Sequence, residues 1–489
     1  MKLLLLYLFL SIGFLSAAQP ITFHKTFNAA SATVTTRAYD GSIYSAIKGR
    51  LVKLDSMGNA LWANQYDTGT VAHLYINYLQ KTADSNLVIV GTLTTSMPSF
   101  DVTVIKVNQD GNAIWARKIS TPHRSYGNSV KTTMDGGFII QGSQVSTIFP
   151  GQHGSLLTKL DSSGNLVWSK GYSAAQYQIP GDVIETARKE YLMLSYDSSI
   201  ICITKTDSIG NVVWKQRLDN VRDGGALQPF DDTSFLVVGT KYKSGQIALL
   251  ARIHTDGHVL WAKTYHAERG RYVCGTSDGG LMLLAMRNSD ALFVKTDHQG
   301  TPQWAKRYGG TVMDDPFYGE QLSDGYLLTG TSHGYLGWNT AFIIKTDLSG
   351  VSGFCEDSEV VIAVPDTVNL TAIAYQESTM GTISNNTLKV SQGTIGVDTP
   401  CINFVNEVQN ILAPSISLFP NPSGGVVHFR SQAANCELEI FNLLNNKVYS
   451  SEITKRQTDL DLRHLAKGIY IYSVRSKEHY IAKGKLLLQ

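Results

Sequence analysis

The chain has 489 residues and a formal net charge of +2, with 43% hydrophobic and only 17% charged residues. The near-neutral balance leaves no electrostatic footprint for nucleic acid, and an aromatic-rich, charge-poor composition argues against disorder. Forty-three glycines and 23 tyrosines suit short strands joined by tight turns.

Residues 1–18 have the form of a secretory signal peptide. Lys2 supplies the positive start and Leu3 to Leu15 the apolar run. Ser16-Ala17-Ala18 offers small residues for cleavage, which makes Gln19 the first mature residue. The apolar run is too short to span a bilayer comfortably. No other stretch approaches that length, so no transmembrane segment is expected.

Beyond the leader, one phrase recurs: Lys-Leu-Asp-Ser-Met-Gly-Asn-Ala-Leu-Trp at 53–62, then KVNQDGNAIW (106–115), KLDSSGNLVW (159–168) and KTDSIGNVVW (205–214). Looser copies are RIHTDGHVLW (252–261) and KTDHQGTPQW (295–304), and a seventh starts at Lys345-Thr-Asp and lacks its Trp. From Trp62 through Trp115, Trp168, Trp214 and Trp261 to Trp304 the spacings are 53, 53, 46, 47 and 43, the period of four-stranded propeller blades. In the phrase Asp55, Asp161 and Asp207 fold onto nearby amides, Gly58, Gly164 and Gly210 supply positive φ, and the result is a hairpin. The Trp is expected to pack between neighbouring sheets. A second phrase, best seen at Asp135-Gly-Gly-Phe, Asp278-Gly-Gly-Leu and Asp324-Gly-Tyr-Leu, alternates with the first. Weaker copies start at Asp40, Asp84, Lys189 and Asp232. Each is a tight turn entering an apolar strand.

The expected body, residues 19–350, is therefore an all-β, seven-bladed propeller. Ile21-Thr-Phe-His-Lys-Thr-Phe27 matches Val259-Leu-Trp-Ala-Lys-Thr-Tyr265 in register, with Phe23 at the Trp position. This N-terminal strand is expected to complete the last blade and remove an open sheet edge. That permutation makes strand one of each blade innermost and puts both kinds of turn on one face. The other face gathers longer loops that differ between copies, where binding residues concentrate on rigid scaffolds. Candidate ligand-binding residues on that face are His123, Arg124, Tyr126, His153, Arg269, Tyr272, Asp314, Asp315, Tyr318, His333, Tyr335 and Trp338.

No HExxH, EF-hand, GxSxG or P-loop spacing occurs, and no Cys/His spacing suggests zinc. No cofactor, metal or catalytic residue is assigned. Asp-x-x-Gly-x-x-x-Trp is similar to the Asp-box turn of sialidase-type propellers and to the repeat of quinone-cofactor dehydrogenases, with spacings about one residue off each. In both families the phrase is a structural turn, so the resemblance supports a propeller and no particular activity.

Residues 351–414 read as a β-rich extension or linker. Cys355 and Cys401 bracket it, and in an exported protein they form a candidate disulfide pair. Cys202 and Cys274 sit in apolar strand patterns and read as small core residues. The last segment, 415–489, holds ten Lys/Arg against six Asp/Glu. It opens with Ile416-Ser-Leu-Phe-Pro-Asn-Pro-Ser-Gly-Gly425, continues with Leu438-Glu-Ile-Phe-Asn and Leu465-Ala-Lys-Gly-Ile-Tyr470, and ends in Lys483-Gly-Lys-Leu-Leu-Leu488. This is a compact antiparallel sandwich pattern. With Pro420, Asn421, Pro422, Gly468 and Tyr470 in order, it resembles the type A C-terminal sorting domain of type IX secretion. The resemblance implies Sec export, passage across the outer membrane by the type IX translocon, and a sortase that usually removes the tail. The product would be released or held at the surface.

Two function classes stay open at this level, besides a purely structural adhesin. A surface or secreted propeller could bind glycan, peptide or protein. A polysaccharide-degrading glycosidase or lyase could carry its residues on the same loop face. The lack of a recognisable catalytic set favours the binding protein.

Overall fold

The computed structural model describes residues 21–27, 32–47, 49–67, 73–94, 100–122, 124–145, 153–173, 178–197, 199–223, 225–242, 245–309, 312–333, 339–353, 356–372, 376–379, 382–385, 389–393, 397–398, 416–419, 423–431, 436–442, 446–455, 457–476 and 479–489. The signal peptide, Cys355, Cys401 and Pro420-Asn421-Pro422 lie outside them. Two compact units divide the chain, Met1–Cys401 and Ile402–Gln489. Among the described residues every regular element is a strand.

In the first unit β1 covers Phe23–Phe27. Strands β2 to β5 are Ala32–Arg37, Ile43–Ile47, Arg50–Leu54 and Ala60–Asp67; β6 to β9 are His73–Lys81, Leu87–Thr94, Phe100–Val107 and Ala113–Ser120. Next come β10 to β13, Arg124–Thr132, Phe138–Val145, His153–Leu160 and Leu166–Ser173, and β14 to β17, Gln178–Glu185, Tyr191–Asp197, Ile200–Thr206 and Val212–Arg222. Strands β18 to β21 are Leu227–Asp231, Ser234–Tyr242, Gln246–His254 and Val259–Tyr265; β22 to β25 are Arg269–Gly275, Leu281–Arg287, Asp290–Thr296 and Pro302–Tyr308. Finally, β26 to β28 are Met313–Leu322, Gly325–His333 and Asn339–Thr346. Within each set successive strands pair antiparallel, and β1 pairs β28 with Phe23 opposite Lys345. The first strands of successive sets pack on one another, β2 on β6, β6 on β10 and so on to β22 on β26, and β26 packs on β2.

The burial of each strand follows its place. Second and third strands such as Leu87–Thr94 and Asp290–Thr296 are buried almost throughout, as strands covered on both faces must be. Fourth strands alternate, with Trp half-buried and its predecessor exposed; Leu61, Ile114, Val167 and Val213 all point to solvent. Several first strands carry a β-bulge, at Asn77, Asn128, Arg271 and Phe317 among others, which re-aims side chains where it occurs.

The repeated phrase does the same job in each copy. Its Lys or Arg stands opposite the aromatic residue across the hairpin: Lys53 opposite Trp62, Lys159 opposite Trp168, Lys345 opposite Phe23. The same cation pairs with the acid of the other turn: Lys53 with Asp40 (3.4 Å), Lys106 with Asp84 (2.7 Å), Lys159 with Asp135 (3.0 Å), Lys205 with Glu190 (2.7 Å), Lys295 with Asp278 (2.8 Å) and Lys345 with Asp324 (2.9 Å). Arg252 and Asp231 make the equivalent pair. Both turns therefore sit on one face. Six of the seven aromatic rings then cover the turn glycine of the next copy; at Gly257 the nearest atoms are those of Gln216 instead. A Cβ built on Gly164 (φ +78°) would fall 3.0 Å from Trp115, and one on Gly58 (φ +80°) 2.8 Å from Phe23. Glycine is needed there both for its left-handed backbone and for the close approach.

Residues 351–414 read as a β-rich extension or linker, and the described part of that segment is a run of short strands that forms a belt. Strands β29 to β35 are Glu356–Glu359, Ala363–Asp366, Leu370–Ala372, Gln376–Thr379, Thr382–Asn385, Lys389–Gly393 and Val397–Asp398. They pair in turn with β25, β21, β17, β13, β9, β5 and β1, each time antiparallel. The segment thus visits the fourth strands in reverse chain order and covers an edge at each. Charge holds its first part: Arg307 meets Asp357 and Glu359, both at 2.9 Å, and Lys241 meets Asp366 at 2.7 Å. Val361 and Val368 are buried against the sheets.

The second unit has two sheets. Strands β36 (Ile416–Phe419), β37 (Val426–Ser431) and β40 (Gln457–Asp461) form one. The other orders β39 (Lys447–Ile453), β38 (Cys436–Phe441), β41 (Gly468–Ser476) and β42 (His479–Leu488). Val427, Phe429, Leu438, Ile440, Ile453, Leu462, Val474 and Leu486 make their core. Tyr470 is buried there and donates from its hydroxyl to the Ala466 carbonyl at 2.6 Å. Gly468 opens β41.

Candidate functional site

The first strands converge on a cavity of about 560 Å³, within the range of small-ligand sites. Its lining comes from each set in turn: Thr36, then Tyr78 and Gln80, Lys131 and Thr132, Glu185, Gln228, Tyr272, and Tyr318 with Glu320. These positions stand three to six residues before the first residue of the second-phrase turns, and Thr133 and Met134 of one turn also line the space. The cavity therefore reaches the face that carries the repeated turns.

Three phenols form one wall. Tyr272 and Tyr318 are tilted against each other with ring centroids 4.7 Å apart, and Tyr78 meets Tyr318 edge-on at 6.5 Å. Burial pushes all three hydroxyls well above the ordinary tyrosine range, so they remain neutral donors across the physiological range. Gln228 donates to the Tyr272 hydroxyl at 3.3 Å. Lys131 donates to the Tyr78 hydroxyl and lies 3.3 Å from Asp182, which also accepts from the Ser129 hydroxyl at 2.7 Å and the Val183 amide at 2.9 Å. Lys81 of β6 and Glu320 of β26, the two strands that pack on either side of β2, pair at 3.1 Å. Glu185 accepts a hydrogen bond from the Met134 amide, and burial raises its carboxyl above the usual carboxylate range. The wall thus offers aromatic faces, phenolic donors, cations and carboxylates around one space.

Among the described loop-face candidates, the structure brings only Tyr272 and Tyr318 to this cavity. Both are strand residues, as are Arg124, Tyr126, Arg269, Asp314, Asp315 and His333. The reading of these segments as loops is corrected: the first strands run further than the turn residues beside them suggested, in several sets through a bulge. Asp314 and Asp315 are buried, and Asp315 pairs with Arg271 at 2.5 Å. Burial raises the Asp315 carboxyl while Arg271 opposes that rise. Tyr126 stacks on Phe100 at 5.4 Å, with Arg124 over the other side of the contact, 5.5 Å from the Phe100 centroid. Arg269 donates to Gln246 at 2.9 Å. His153 opens β12 and His333 closes β27. His123, Tyr335 and Trp338 lie outside the described residues. Sequence reading missed Tyr78, Lys131, Glu185, Gln228 and Glu320. Aligning the copies on the second-phrase turn would have shown these bulky or charged residues recurring just before it, where a core strand should be apolar.

The second unit is where comparison with known proteins speaks most directly. Residues 417–489 match the family described as the secretion system C-terminal sorting domain. The protein is accordingly a type IX secretion client, delivered to the cell surface or the extracellular space. No curated protein matches the chain. Solved structures with similarity include a protein of unknown function from Bacteroides caccae, at 10% identity and TM-score 0.37, covering 58% of this chain and 93% of that one. The Dos1 propeller matches at 10% identity and TM-score 0.40, covering 67% and 94%. PorZ, a surface component of the type IX secretion system of Porphyromonas gingivalis, matches at 9% identity and TM-score 0.17, covering 96% and 99%. Likeness at this level says nothing of function. No helix among the described residues is long and apolar enough to cross a membrane.

Proposed function

We propose that the first unit is a seven-bladed β-propeller closed by its N-terminal strand, and that it serves as an exported binding protein for a glycan or peptide. The cyclic packing of first strands from β2 to β26 and back supports the ring. So does Phe23, which covers Gly58 as Trp62, Trp115, Trp168, Trp261 and Trp304 cover the glycine of the next copy. The cavity ringed by Tyr78, Tyr272 and Tyr318 carries the binding reading. Phenol faces stack on sugar rings or peptide side chains, while Lys131, Gln228 and Glu185 offer donors and acceptors that fix orientation. The sorting domain would be read by the translocon and a sortase, which would leave the ring as the working part.

One observation favours a second reading. Glu185 and Glu320 both line the cavity, and the Glu185 carboxyl is raised by burial, as a general acid in glycoside cleavage requires. Glycan and peptide arrays probed with the purified protein, followed by product analysis of each ligand that binds, separate the two. Binding without turnover supports the binding protein, turnover abolished by Glu185→Gln supports the enzyme, and the absence of any ligand would reject both.

The belt gives the candidate Cys355–Cys401 disulfide a physical role. Glu356 begins the belt beside β25, and Asp398 ends it beside β1, in sets whose strands β22 and β26 touch. A disulfide between the flanking cysteines would close the belt into a hoop around the ring. Non-reducing peptide mapping that finds the 355–401 cross-link supports this; two free thiols in the secreted protein would end it.

A further inference from the structure

One copy of the repeated turn departs from its siblings in a way that suits metal. In the turns at 55–59, 161–165 and 207–211 the first residue is Asp and the last Asn. The Asp accepts the amides two and four residues on, and the Asn side chain donates back to it at 2.8–2.9 Å. At 254–258 the backbone makes the same turn: the His254 amide donates to the His258 carbonyl and the Gly257 amide to the His254 carbonyl, both at 2.9 Å. The Asp and Asn positions, however, hold His254 and His258, with Asp256 between them.

The two imidazoles stack with centroids 4.7 Å apart and turn their Nδ1 atoms onto one oxygen. Asp256 Oδ1 lies 2.9 Å from His254 Nδ1 and 2.6 Å from His258 Nδ1. The three ligand atoms all fall within 4.8 Å of one another. The Asp256 amide is also directed at His254 Nδ1, at 3.3 Å. A ring nitrogen has a single in-plane position. A proton on Nδ1 is donated to Asp256 Oδ1; with the proton on Nε2 instead, the Nδ1 lone pair faces the carboxylate oxygen and can take either the 3.3 Å amide contact or a cation. A cation shared by both imidazoles and the carboxylate takes the place of those Nδ1 protons. Two imidazole nitrogens and one carboxylate oxygen form a donor set for zinc-type ions, and imidazole disfavours calcium and magnesium. His254 is half-buried and Asp256 and His258 are exposed, so solvent can reach the remaining coordination positions.

We propose that His254, Asp256 and His258 form a binding site for a divalent zinc-type ion, with water completing the coordination. The test titrates Zn²⁺, and separately Ca²⁺, into the purified metal-free protein by calorimetry. His254→Asp combined with His258→Asn rebuilds the sibling turn and so preserves a sequence this fold already uses. The expected result is one equivalent of Zn²⁺ bound by the native protein, no comparable uptake of Ca²⁺, and loss of the zinc signal in the double variant with an unchanged melting temperature in chelator. Absence of zinc binding, equal binding by the double variant, or preference for Ca²⁺ would overturn the assignment.

Discussion

The repeated turns and the first strands of the same sheets follow opposite rules. At the turns, side chains recur: a cation opposite an aromatic ring, an acid from the neighbouring turn on that cation, a glycine under the next ring. Along the first strands the side chains diverge into Tyr78, Lys131, Glu185, Gln228, Tyr272 and Glu320. Repetition marks what every sheet needs in order to pack. Divergence on a common backbone marks where the molecule can be particular. The cavity and the scaffold therefore share one face, whereas sequence reading assigned them to opposite faces.

Changes on the repetitive side should act on stability. Deleting residues 21–27 is expected to have the largest effect, because it removes the buried Phe23 and Phe27, each worth about 1.5–3 kcal/mol, and exposes the edge of β28. An unchanged denaturation midpoint would separate β1 from the ring. Phe23→Ala should cost about 3–5 kcal/mol. Trp115→Ala should cost a similar amount if Phe23 is the equivalent of the repeated Trp; a negligible Phe23 effect beside a large Trp115 effect would break the equivalence. Lys345→Met is next, about 1–3 kcal/mol, since it removes the buried ammonium's bonds to the Ile21 carbonyl and, at 2.9 Å, to Asp324, which keeps Arg37 at 2.8 Å. Chemical denaturation reads all four.

A smaller effect should come from acid. Hydrogen bonds from Lys295 and Thr276 bring Asp278 down to about 2. Burial opposes the same trend at Asp135, but Thr133, Gly137 and Lys159 carry it down to about 2 as well. Carboxyls depressed in the folded state stabilise it fully above the ordinary carboxylate value and lose that contribution as pH falls through the folded value. The melting temperature should therefore hold above about pH 4 and drop toward pH 2. Asp278→Asn should flatten part of that drop; an identical profile would contradict the assignment.

Much of the scaffold could be read from the sequence because its reasons are local. Lys-x-Asp, the turn glycine and the Trp lie within ten residues, and the match of 21–27 to 259–265 in register anticipates the pairing of β1 with β28. The belt could not be read that way. Its strands are two to five residues long, and their pairing partners lie tens to hundreds of residues away. The cavity was hidden for the same reason, since Thr36 and Glu320 meet only once the sheets assemble. His254 and His258 looked like a loosened copy of the turn, because a phrase aligned for its likeness hides the chemistry of its exceptions.

The claim that function lies in the divergent first strands has a direct test. Array binding by the native protein would be compared with that of Tyr318→Ala and Lys131→Ala in the cavity, and of Arg269→Ala and His333→Ala at the opposite strand ends. The account predicts that the cavity pair abolishes binding while the other pair leaves it intact. Binding that survives both cavity changes and fails in Arg269→Ala or His333→Ala would contradict it.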